Sequence, residues 1–147
     1  MGREAGFSLI EMMVVLAIVS LAAGLVVVSA PGPSGQLASE TDRLIRSLVT
    51  ARDLALIENR TVMIEVSETG YATRAASRLG PAREIEMTPW NEQTTVAAGD
   101  GRLPAIVVFD PVGLAEPASF TLFSGGAKDG VAIEPSGRIA RLSEPSP

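Results

Sequence analysis

The apolar residues of this chain are concentrated in one block near the N-terminus. Between Phe7 and Ala30 the only charged side chain is Glu11, and sixteen of the nineteen residues that follow it are apolar. A helix over this block would be roughly 36 Å long at about 1.5 Å per residue, and a bilayer core needs about 20 such residues. Residues 7–30 are therefore predicted to form a transmembrane helix, preceded by a short polar leader over residues 1–6.

A proline-rich break follows this block. Pro31 and Pro33 are expected to end the helix, because proline lacks an N–H and moves the preceding residue out of helical geometry. Residues 31–36 are expected to form a kink or linker, and the pattern leaves open whether the helix bends there or stops. Residues 37–147 are numerous enough to fold as one small domain.

That domain is predicted to open with an amphipathic helix from about Leu37 to Asn59. Ser34 or Ser39 is placed to cap its N-terminus. The apolar stripe follows helical spacing and comprises Leu37, Leu44, Ile45, Leu48, Ala51, Ala55 and Leu56. A helix with one apolar face is expected to lie across a sheet.

Short β-branched segments bounded by glycine and proline occupy the remainder. The predicted strands are 61–66, 71–74, 83–88, 105–110, 119–124, 130–134 and 138–142, with a further short strand at 94–97 inside a long loop over 89–104. The fold class is therefore predicted to be α+β. In this prediction an N-terminal transmembrane helix precedes an amphipathic helix packed on an antiparallel β-sheet.

Composition narrows the chemistry available to the domain. The formal net charge is −5, and the chain has no cysteine and no histidine. Disulfides and thiolate metal sites are thereby excluded, and the usual general base is missing. An acidic domain is also a poor partner for nucleic acid. Since the carboxylates show no spacing that selects an acid–base pair, the chain is expected to be non-enzymatic and to need no cofactor or metal.

Glu11 is the one charged residue within the apolar block, and a membrane helix does not account for it. A carboxylate at the centre of a membrane helix costs about 2.5–3.5 kcal/mol, so its position calls for a cationic partner. Alternatively, the side chain reaches the lipid headgroups, since it lies near a helix end. The block is a poor secretory signal peptide, because it is too long and Glu11 interrupts its start.

The run Gly6-Phe7-Ser8-Leu9-Ile10-Glu11, followed by an apolar helix, resembles the type IV pilin and type II secretion pseudopilin class. The resemblance implies that a prepilin peptidase cleaves between Gly6 and Phe7 and that Phe7 is then N-methylated. It also implies that Glu11 pairs with the Phe7 amine of a neighbouring subunit. Such a pair is strong in low dielectric, and breaking it leaves an uncompensated buried charge, so it would set the register of assembly.

The rest of the chain resembles the GspH/FimT branch of minor pseudopilins and pilins, through residues 48–55 and 59–62 and, more loosely, 109–113, 120–122 and 133–139. This implies an H-like minor pseudopilin of a type II secretion system. Such a protein is held in the bacterial inner membrane by one span, with residues 37–147 as a periplasmic pilin-like domain. It is incorporated in or near the tip of a periplasmic pseudopilus.

The partners implied are the prepilin peptidase, other pseudopilins or pilins, the inner-membrane assembly platform and secreted cargo. One alternative is a FimT-like minor type IV pilin that serves adhesion, motility or DNA uptake. An alternative of another class is a membrane-anchored ligand-binding or enzymatic domain. The break at Pro31 and Pro33 departs from the pilin pattern, whose helix usually continues past the membrane.

Three further features have competing interpretations. Asp100 and Asp129 lie in glycine-rich stretches and could supply calcium ligands, but neither has a dense run of oxygen donors. Arg138 and Arg141 could contact DNA phosphates, although two arginines flanked by glutamates give a weak footprint. Trp90 is either a cap on the core or an exposed contact for a partner, and the sequence does not decide between them.

Overall fold

The computed structural model describes residues 9–29, 32–75 and 83–142. The chain divides into two compact units, Met1–Gly32 and Pro33–Pro147. The first unit contains helix α1, Leu9–Ser29, with Glu11 in its first turn. Every side chain from Leu9 to Ala22 is exposed. Within the described residues, no helix combines the length and hydropathy that crossing a membrane requires.

The second unit begins with helix α2, Pro33–Glu58. The helix thus starts within the segment expected to be a linker, because proline at the first helical position has its φ already fixed and needs no N–H there. At the other end, Asn59 takes a left-handed φ of 49° and the Arg60 N–H bonds to the Ala55 carbonyl at 3.2 Å. This left-handed cap ends the helix where the sequence predicts.

In the described part of the chain, eight strands follow α2. They are β1 Val62–Val66, β2 Gly70–Ala75, β3 Arg83–Pro89, β4 Thr95–Ala98, β5 Ala105–Phe109, β6 Ala118–Ser124, β7 Ala127–Ile133 and β8 Ile139–Arg141. They form two antiparallel four-stranded sheets, with the orders β3-β2-β1-β5 and β4-β6-β7-β8. The predicted α+β class, with a helix on antiparallel strands, is confirmed.

Two details differ from the prediction. There are two sheets rather than one, because the connection through Pro111, Gly113 and Pro117 carries the chain away from β5 before β6 begins. Strand β7 also starts at Ala127 instead of 130. Gly125 and Gly126, with φ of 55° and 82°, form a two-residue turn that pairs Ser124 with Ala127.

The core lies where α2 packs on both sheets. The predicted stripe supplies its helical side, and Leu44, Leu48, Ala51 and Ala55 are fully buried. The sheets contribute Val62, Ile64, Val66, Val107, Phe109, Phe120, Leu122, Val131 and Ile133. At the end of the stripe Leu56 is 42% exposed, so the buried face ends one turn before the helix does.

Candidate functional site

The predicted assembly motif is only partly described. Glu11 is exposed in the first turn of α1. Gly6 and Phe7 lie outside the described residues. Cleavage between them, methylation of Phe7 and pairing with Glu11 therefore stay predictions.

The second unit contains a buried carboxylate that the sequence analysis missed. Glu40, on α2, is 5% exposed. Its Oε1 accepts a hydrogen bond from the Asn91 N–H at 2.7 Å, and its Oε2 accepts one from the Thr94 hydroxyl. The Thr94 N–H in turn bonds to the Asn91 carbonyl at 2.9 Å. Glu40 thus holds the turn between β3 and β4 against the helix.

Trp90 lies beside this turn and is 9% exposed. Its indole N–H donates to the Ser67 carbonyl at 2.9 Å, and its ring lies 5.0 Å from that of Tyr71 at a tilt of 50°. Buried tryptophan normally satisfies its N–H in this way. Of the two interpretations left open, Trp90 is therefore the core cap and not an exposed contact.

A second polar cluster is centred on Arg141 at the end of β8. Its Nε lies 3.0 and 3.1 Å from the two carboxylate oxygens of Asp129, and its Nη2 contacts Asp129 as well. Its Nη1 donates to Asp42 at 3.0 Å, and Nη2 lies 3.5 Å from the Ala38 carbonyl. One guanidinium therefore joins β8, β7 and α2.

The electrostatics of this cluster keep both partners charged. Burial alone would raise the pKa of Asp129, but the hydrogen bonds and positive charge of Arg141, together with the hydrogen bond from the Gly130 N–H, outweigh it and hold that pKa below its ordinary value. The hydrogen bond to Asp129 raises the pKa of Arg141. The cluster therefore carries stabilising ion pairs instead of a group ready to exchange protons.

These contacts bear on the remaining candidates. Arg141 faces two carboxylates and Arg138 lies 3.6 Å from Glu134, so the two arginines do not present a free basic surface to phosphates. The Asp129 carboxylate is bound by Arg141, and Asp100 accepts the Arg102 N–H at 3.1 Å within a turn. No group of three or more metal-ligating side chains occurs in the described part of the chain.

A sequence signal for Glu40 existed. It lies three residues after Leu37 and four before Leu44, both buried on α2, so it falls on the buried face of the helix. A carboxylate there requires hydrogen-bond donors from the rest of the domain. For Arg141 no comparable local signal exists, because Asp42 lies 99 residues earlier in the chain.

Comparison with known families gives two matches. The prokaryotic N-terminal methylation motif matches residues 1–27. The family described as type II transport protein GspH matches residues 40–137, more than half of the chain. No curated protein matches the sequence.

The fold is also similar to solved structures. The minor pseudopilin EpsH from the type 2 secretion system of Vibrio cholerae gives a TM-score of 0.64 at 11% identity, over 74% of this chain and 97% of that one. The type IV minor pilin FimU of Pseudomonas aeruginosa gives 0.59 at 17% identity, over 71% and 86%. At such identities the likeness concerns the fold alone.

Proposed function

The chain belongs to the GspH family of type II transport proteins, and from that membership we propose that it is an H-like minor pseudopilin of a type II secretion system. The proposal rests on the order in which two family matches occur along the chain. A methylation motif over residues 1–27 precedes a GspH domain over residues 40–137. The resemblance drawn from the sequence is thereby confirmed at the level of the family.

In this proposal, residues 7–30 anchor the chain in the bacterial inner membrane and residues 37–147 form the periplasmic domain. The exposed side chains of α1 support it, since a helix that is apolar on all sides needs apolar surroundings. Neighbouring pseudopilin helices and lipid would supply them. The chain then enters a periplasmic filament, in or near its tip.

The N-terminal residues have distinct roles in the proposed pathway. Prepilin peptidase cleaves between Gly6 and Phe7, which frees the Phe7 amine for methylation. Glu11, exposed in the first turn of α1, then forms an ion pair with the Phe7 amine of a neighbouring subunit. The pairing satisfies a carboxylate that is otherwise costly in apolar surroundings. The protein works by assembly and not by catalysis, with the assembly platform and other pseudopilins as partners and secreted cargo as a further one.

One experiment tests processing and pairing together. The chain is co-expressed with a prepilin peptidase and a type II secretion system, and its intact mass and its amount in sheared filaments are measured. The expected mature N-terminus is a methylated Phe7. Glu11→Ala should be cleaved and methylated normally, but its incorporation should fall about tenfold or more, because the amine partner is left without its carboxylate.

Ser20→Ala is the matched control, since it changes a small polar residue of the same helix without removing a charge. It should be incorporated normally. A mature terminus at Met1, or after Ala30, would refute the proposed processing. Normal incorporation of Glu11→Ala would refute the pairing while leaving the processing intact.

The fold similarity to FimU supports a second candidate, a minor type IV pilin of FimT type. A pilin and a pseudopilin share the same N-terminal processing, so the two roles differ in which filament, pilus or pseudopilus, incorporates the chain. Complementation of strains lacking a GspH protein or a FimU-like pilin separates the two. The paired state of Arg138 and Arg141 favours the secretion role over DNA uptake.

A further inference from the structure

Strand β5 lies at the edge of its sheet, and in the described part of the chain its ladder partner is β1 alone. The direction of its main-chain groups follows from the neighbouring hairpin. The Ser67 N–H donates to the Gly70 carbonyl, so odd-numbered residues of β1 bond to β2 and even-numbered ones bond to β5. Their partners in β5 are the odd-numbered residues, which leaves Ile106 and Val108 with their N–H and C=O directed outward, and Val108 lies next to the bridge at Phe109.

The outer edge of β5 is closed at one end only. The Asp110 N–H donates to the Leu114 carbonyl at 3.0 Å, and Phe109 forms a bridge with Ala115. After Ala115 the chain departs to begin β6 in the other sheet, and Pro117 on that path has no N–H to offer. The edge therefore accepts an antiparallel neighbour at Phe109 and loses it before Ile106.

A groove of about 760 Å³ lies where the segment after Ala115 diverges from β5. Its lining residues include Ala105 and Ile106 of β5 and the almost fully buried Phe120 and Ile133 of the other sheet. Charged side chains are found among its lining residues, namely Asp100, Arg102 and Glu116. The groove thus combines an open main-chain edge, a lining of mixed polar and apolar residues, and a net negative set of charged side chains.

We propose that this groove binds an extended segment of another protein, which adds to β5 as an antiparallel strand. The open N–H and C=O of Ile106 supply paired main-chain hydrogen bonds, the basis of strand addition at a sheet edge. The segment's side chains on the groove side lie over Phe120 and Ile133, and they are small because both residues are already almost fully buried. Asp100 and Glu116 outnumber Arg102, so a basic residue is favoured at the end of the segment.

The composition of β5 supports an edge that is used. Natural proteins protect exposed edges with lysine, proline, bulges or inward-pointing charges. The five residues of β5 are Ala-Ile-Val-Val-Phe, its pairing with β1 is regular, and Ile106 is 55% exposed. None of those protective devices occurs within the strand. A partner strand would cover both the main chain and the exposed isoleucine.

The test uses the full chain in detergent micelles and a labelled, capped heptapeptide of alternating threonine and valine that ends in lysine. Binding is followed by fluorescence anisotropy. Ile106→Pro removes only an outward N–H, so the sheet keeps its ladder, and the peptide should bind about tenfold more weakly. Ile106→Thr also loses the isoleucine side chain but keeps the N–H, so this matched control should bind more tightly than Ile106→Pro and close to the unsubstituted chain.

A second peptide keeps the test independent of any folding defect in the variant. The same heptapeptide with its valines replaced by proline should fail to bind the unsubstituted chain. Absence of binding by the first peptide, or equal binding of both, would overturn the proposal. Dimerisation that Ile106→Pro abolishes, without peptide binding, would assign the edge to a second copy and overturn it too. None of these results depends on N-terminal processing.

Discussion

Glu40 gives the sharpest test of how the second unit is held together. Replacing it by alanine removes the acceptor of the Asn91 N–H and of the Thr94 hydroxyl, both at the turn that follows Trp90. Hydrogen bonds to a charged group contribute about 1.5–3 kcal/mol each. Removing the carboxylate also relieves the cost of burying it, so Glu40→Ala should lower the free energy of unfolding by about 2–4 kcal/mol.

The assay is urea unfolding of the fragment 33–147, which contains the whole second unit. Trp90 is the only tryptophan, and its buried ring lies next to the turn, so its emission reports on this part of the domain. With an m-value of about 2 kcal/mol per molar urea, the middle of the usual range, the midpoint should fall by roughly 1–2 M. Folded Glu40→Ala should also show red-shifted emission as the turn loosens.

Two variants bracket the interpretation. Glu40→Gln keeps an oxygen for the Asn91 N–H and can reorient against the Thr94 hydroxyl, so it should cost less than about half as much as alanine. Glu92→Ala removes an exposed carboxylate from the same loop and should change stability by no more than about 0.5 kcal/mol. If Glu40→Ala were as stable as Glu92→Ala, the two hydrogen bonds would not be holding the turn.

Two further predictions concern the Arg141 cluster and a glycine turn. Asp129 is stabilising above its ordinary pKa of 3.8, and this contribution is lost as the pH falls through its lowered folded pKa. Arg141→Gln should therefore lower the free energy of unfolding by about 1 kcal/mol near neutral pH, and by progressively less as the pH falls below 3.8. Urea unfolding at several pH values would contradict this if the difference between variant and unsubstituted chain stayed constant. Gly137→Ala should cost about 3 kcal/mol or more, since its Cβ would lie 1.9 Å from the Gly113 carbonyl oxygen at a φ of 73°. Gly126→Ala, at a φ of 82° with open space around its Cβ, should cost only about 1 kcal/mol. If both glycine variants lowered the melting temperature equally, the clash with Gly113 would not be the cause of the loss at Gly137.

The parts of the fold that depend on local pattern were predictable. Leu44, Leu48, Ala51 and Ala55 repeat at helical spacing, and burial on one face follows directly from that repeat. Strand segments were found because β-branched runs are bounded by glycine and proline. Neither signal depends on which strands become neighbours.

Features that depend on distant pairing were not predictable. The division into two sheets is set by where the chain leaves β5, and periodicity within a strand carries no information about that. Trp90 had two interpretations because its burial depends on Ser67 and Tyr71, and Ser67 lies 23 residues earlier in the chain. For the assembly motif the sequence says most, since the proposed partner of Glu11 lies in another subunit.

The ion pair between Arg141 and Asp42 also has a consequence for synthesis of the chain. The two residues are 99 positions apart, so α2 leaves the ribosome long before the strand that fastens it. A chain broken off before β8 keeps an exposed β7 edge and leaves Asp42 and Asp129 without their guanidinium. Such chains expose unpaired edges to proteases and aggregation. The attachment of α2 through Asp42 therefore depends on β8, the strand nearest the C-terminus among the described residues.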